Sequence, residues 1–149
     1  MLTDFFGPTL DPQFDDLLHS LGKIAQKRAK NVIDAIMRWR RGIRDSPTNR
    51  SGDPRMSERA SLAAIYVMCR ALVAVLSMLP ANALSDTLGY SLEETIFEQF
   101  RRPLLSSNPN YKLCAELYAG VLGCLASLRW APAIYTRLFG SLLMTRLSC

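Results

Sequence analysis

The sequence predicts an all-α protein, and three observations carry that prediction. No run of alternating apolar and polar residues persists long enough to mark a half-buried strand. Aliphatic residues recur instead at three- and four-residue spacing through most of the chain. At 149 residues the chain fits one domain, 1–149, with enough length to bury a sizeable core. The expected architecture is about six helices in three antiparallel hairpins, forming a HEAT/armadillo-like α-solenoid, with a compact six-helix bundle as the alternative.

Met1 to Leu10 reads as an irregular lead. Asp11-Pro12 pairs a capping side chain with proline at the first helical position, which suits a helix start. Phe14, Leu17, Leu18, Leu21, Ile24 and Ala25 then mark one face of a helix to about Gln26. Lys27 to Lys30 is expected as a polar turn into a second helix, with Val32, Ile33, Ile36 and Met37 inward and Arg38, Arg40, Arg41 and Arg44 around its end. A link this short makes the two helices antiparallel neighbours.

Asp45 to Met56, with two prolines, a glycine and small polar residues, is expected to form a mobile loop. The central stretch follows, from Ser57 as N-cap to Leu79, stopped by Pro80. Its apolar residues fall on every side, so it must be surrounded by protein or lipid. Arg70 at its middle costs roughly 2.5–3.5 kcal/mol in a bilayer, and the aliphatic residues nearly offset that. Amphipathic neighbours favour a protein surrounding, with Arg70 reaching a carboxylate such as Glu116 or extending to water.

Leu84, Leu88, Leu92, Ile96 and Phe100 mark a fourth helix ending near Arg102-Pro103, which Gly89 is expected to interrupt. The fifth, Tyr111 to Leu128, is nearly all apolar, with Gly120 and Gly123 permitting a close neighbour. The sixth spans about Ala133 to Leu147.

Chemistry is harder to find. Neither GxGxxG nor GxxxxGK[ST] occurs, nor HExxH or GxSxG. His19 is the lone histidine, and Cys69, Cys114, Cys124 and Cys149 form no CxxC pair, so no zinc set assembles. The expectation is a non-enzymatic protein without cofactor or metal, in a reducing, cytoplasmic setting. Between Lys23 and Arg59 lie eleven of the eighteen basic residues against four acids. Such a stretch reads first as a solvated helix face plus a polar loop; it can also meet an acidic protein, an anionic membrane surface peripherally, or nucleic acid, the last disfavoured because Trp39 is its single aromatic. Arg38, Trp39, Arg40 and Arg41 form the candidate partner surface, tryptophan beside arginine suiting an interface anchor as well as it suits a cap on the core edge.

Five blocks then acquire a shared meaning. FDDLLHSLGKIAQK (Phe14 to Lys27), VIDAIMRWRR (Val32 to Arg41) and ERASLAAIYVMCRALVAVL (Glu58 to Leu76) resemble, in order, the N-terminal region of the Furry-type cell-morphogenesis proteins. LGYSLEETIFEQF (Leu88 to Phe100) and AELYAGVLGCLA (Ala115 to Ala126) continue the likeness. The resemblance implies the helical-repeat end of a large scaffold that acts with NDR-family kinases and Mob co-activators in polarised growth, at the cell cortex. It supplies no catalytic residues. Because the sequence stops at Cys149, the resemblance implies a fragment, a truncated gene product or a reduced relative of such a scaffold.

Overall fold

The computed structural model describes residues 7–44, 53–80, 83–104 and 109–129. Among them are four helices and no strand: α1 (Pro12–Arg44), α2 (Pro54–Ser77), α3 (Asp86–Leu104) and α4 (Pro109–Leu128). The expected sixth helix and most of the expected loop lie outside the described residues. Contacts gather into two compact units, Met1–Leu79 and Pro80–Cys149.

In the first unit, the Asp11 carboxylate caps α1 by accepting from the backbone N–H groups of Gln13 and Phe14, at 2.9 and 3.2 Å. The expected polar turn narrows to one residue, Arg28, whose backbone (φ −141°, ψ 52°) leaves the helical region. There α1 divides into two arms, and both arms line a groove whose floor is Val67, Met68 and Ala71 of the following helix. Leu18, Gly22 and Ala25 of the first arm are buried, as are Val32, Ile33 and Ile36 of the second.

The first arm runs in the same direction as α2. Asp15 lies opposite Arg70, Gly22 opposite Ala74 and Met78, and the Gln26 amide donates to the Met78 carbonyl at 3.2 Å. Gly22 is needed for this approach: a Cβ there would stand 2.4 Å from Met78 Sδ and 2.9 Å from the Ala74 carbonyl oxygen.

Helix α2 begins earlier than its sequence implies. Asp53 caps it, accepting from the Arg55 N–H at 3.0 Å, and Pro54 occupies the first turn, so the start is not Ser57. Met68, Cys69, Leu72, Val75 and Leu76 are almost fully inaccessible. Both α2 and α4 are long and apolar enough to cross a membrane.

Arg70 is only 5% exposed, and its surroundings are protein. It donates to the Gly7 carbonyl at 2.7 Å, lies 3.8 Å from the Asp15 carboxylate and stands 5.9 Å from the centre of the Tyr66 ring. Asp15 also accepts from Thr9, from its backbone N–H at 3.0 Å and its hydroxyl at 2.9 Å, tying the lead segment to α1. The carboxylate beside Arg70 is thus Asp15 and not the expected Glu116.

The second unit is an antiparallel hairpin of α3 and α4. Tyr118 donates to Gln99 at 2.9 Å mid-way along it, and Arg129 at the end of α4 reaches Glu93 at 3.3 Å and Asp86 at 3.7 Å near the start of α3. Gly89 does not interrupt α3; the Arg129 side chain lies where its Cβ would be. Leu92, Ile96 and Phe100 of α3 are buried, as are Leu117, Val121, Leu122 and Leu125 of α4. Gly123, expected at a close approach, faces open space.

Candidate functional site

The two arms of α1 leave a gap where they pass α2. Leu17, Leu21 and Ile24 line it from the first arm, and Val32, Ala35, Ile36 and Trp39 from the second. Val67, Met68 and Ala71 of α2 form its floor, and the cavity measures about 570 Å³. Ile24 and Val32, Leu21 and Ala35, and Leu17 and Trp39 lie at equal distances from Arg28 in sequence. That register is the signature of two segments folded back on each other, as the short link predicts.

The apolar stripe of the first arm is wider than the core it meets. Residues at seven-residue spacing stay on one side of a helix, so Leu17 and Ile24 share a line. Leu18 and Ala25, one position on, turn into the core, while Leu17 and Ile24 stay 64% and 55% exposed. Trp39 faces them at 43% exposure. Three large apolar side chains thus ring one open groove, a feature that marks interaction surfaces in soluble proteins.

Its polar margin is mainly basic. Arg28 lines the groove, and exposed Lys27 and Arg38 neighbour the lining residues Arg28 and Trp39. Asp16 is the acid beside Leu17. On the other side of the second arm, Lys30 and Asp34 neutralise each other as an i,i+4 pair at 2.5 Å.

Of the four residues that the sequence singles out, the structure brings one to the groove. Consecutive helical residues turn by about 100°, so Arg38 to Arg41 point to every side of the helix. Trp39 lines the cavity, Arg38 stands exposed beside it and Arg41 is exposed elsewhere. Arg40 is half-buried, its Nε enclosed without a hydrogen-bond partner. Sequence reasoning placed Leu17 and Ile24 on the apolar face of the first helix and did not single them out as a partner surface.

A second cavity of about 500 Å³ lies against the lead segment, between Gly7 to Asp11 and Phe14, Tyr66 and Arg70. The Arg70 guanidinium there is already held by the Gly7 carbonyl and Asp15. No group of three or more His, Cys, Asp or Glu side chains able to hold a metal occurs among the described residues. Burial pushes the Cys124 thiol above its ordinary value, so it keeps its proton at neutral pH.

Residues 58–140 match the family model described as cell morphogenesis N-terminal. The chain belongs to that cell-morphogenesis family. Helices α3 and α4 fall within the matched segment, as does α2 from Glu58 onward, whereas the arms of α1 precede it. Among the family's proteins, the chain is 34% identical over 90 residues to the cell polarity protein Mor2 of Schizosaccharomyces pombe, covering 60% of this chain and 4% of that protein. To the cell morphogenesis protein Pag1 of Saccharomyces cerevisiae it is 48% identical over 40 residues, covering 27% of this chain and 2% of that protein. The chain therefore spans a few per cent of the length of these cell-morphogenesis relatives. No solved structure matches it.

Proposed function

We propose that the chain is a non-catalytic protein-interaction segment of a cell-morphogenesis scaffold. The single observation that carries this reading is the family match over residues 58–140. Its partners, by resemblance to Furry-type proteins, are an NDR-family kinase and a Mob co-activator, met in the cytoplasm at the cell cortex or at sites of polarised growth. Hairpins of the kind formed by α3 and α4 are the unit from which a HEAT/armadillo-like solenoid would be stacked. In this reading α2 and α4 are core helices and not membrane spans, supported by the enclosed, partnered guanidinium of Arg70.

The segment works by presenting helix surfaces, with Trp39 and the cations around it as the partner-facing part. The chemistry fits that role: arginine and tryptophan are enriched among residues that dominate binding energy. Pull-down of purified kinase and Mob by the purified chain tests the reading. Capture that Arg38→Glu plus Arg41→Glu weakens is the expected result; both positions are exposed, so the fold should survive. Absence of any capture would overturn the partner assignment.

A further inference from the structure

We infer that the groove between the arms of α1 is a docking site for a short amphipathic helix with acidic flanks, supplied by a protein partner. The inference deepens the interaction-segment reading and rests on it. Two features define the occupant. First, the open apolar positions Leu17 and Ile24 are two helical turns apart, about 10 Å along the arm, with Trp39 opposite. That spacing fits anchors at positions i, i+3 or i+4, and i+7 of an incoming helix, the arrangement by which amphipathic helices enter hydrophobic grooves. The cavity volume of about 570 Å³ gives such side chains room beneath the surface.

Second, the charge around the mouth selects the partner. Arg28 lines the groove, where no carboxylate does, and the adjoining exposed charges, Lys27 and Arg38 against Asp16, are mainly basic. A helix with glutamates beside its apolar face would be attracted, and a basic helix repelled. The same logic disfavours a second copy of this chain, whose formal net charge is +5.

Fluorescence anisotropy with the full chain tests this. The probe is a fluorescein-labelled peptide of about fourteen residues, with Leu, Leu and Phe at i, i+4 and i+7 and glutamate at the remaining positions. Saturable binding is expected, weakened about tenfold or more by lysine in place of the glutamates and by alanine in place of the apolar anchors. Leu17→Asp or Ile24→Asp in the chain should weaken it by about tenfold, and Arg28→Glu by a smaller factor that fades at high salt. Leu17 and Ile24 are exposed, so unchanged helical circular dichroism separates lost docking from unfolding.

Equal binding of the acidic and basic peptides, or binding indifferent to Leu17→Asp, would overturn the proposal. So would a wild-type dimer that Leu17→Asp dissociates in sedimentation, because the groove would then hold a second copy. Kinase and Mob capture that persists in a Leu17→Asp chain unable to bind the peptide would remove the groove from partner binding and leave the broader reading standing. Failed capture with intact peptide binding would do the converse.

Discussion

Arg70 shows how one residue distinguishes the surroundings of a helix. A guanidinium in the apolar middle of α2 must be satisfied, and here the Gly7 carbonyl, Asp15 and the Tyr66 ring do so. Removing one partner of a buried charge pair leaves the other uncompensated, so Arg70→Ala should destabilise the chain by roughly 3 kcal/mol. Urea denaturation measures it, and Arg70→Met with Asp15→Asn should recover part of the loss. Gly22→Ala sets two effects against each other. Alanine favours a helix by about 1 kcal/mol over glycine. The clash with Met78 and the Ala74 carbonyl should outweigh that, giving net destabilisation of about 1 kcal/mol in the same assay. The sequence marks Arg70 as the awkward residue without revealing its partner, because helical spacing reports which face a residue occupies and not what a distant segment places there. Leu17 and Ile24 mislead for the same reason: their periodicity is that of core residues, while the neighbouring surface is too narrow to cover them.

At the scale of elements, the ends of the helices decide how the chain turns. Asp11-Pro12 is legible as a helix start, and Asp53-Pro54 is the same dipeptide doing the same work. The second is hidden by its position in a polar, proline-bearing stretch that reads as loop. Asp53→Ala should cost about 1 kcal/mol of stability, seen as a lowered melting temperature by circular dichroism. Tyr118→Phe removes the hydroxyl that joins α4 to Gln99 and should cost about 1 kcal/mol in the same measurement. The break between the arms of α1 is legible as a polar cluster. Its reduction to Arg28 alone is not, because sequence supplies no local signal for one non-helical residue among helix formers. Gly89 errs oppositely: propensity reads it as an interruption, but α3 continues and Arg129 takes the space beside it.

For the whole molecule, hydropathy and packing lead to different expectations about α2 and α4. If both are core helices, as proposed, the expressed protein should leave membranes on carbonate extraction; retention in the pellet would contradict that. The helical class and the family were legible in sequence, the first from periodicity and the second from ordered blocks, of which those after residue 58 coincide with the matched segment. The groove was not, because it exists only where two arms fold back across one turn of α2. The most direct test of the central claim is biolayer interferometry of the purified chain on an immobilised NDR-family kinase with its Mob co-activator. Saturable binding, weakened by Leu17→Asp and Arg38→Glu but not by Tyr118→Phe, is the expected result. No binding, or equal binding by all three variants, would contradict it.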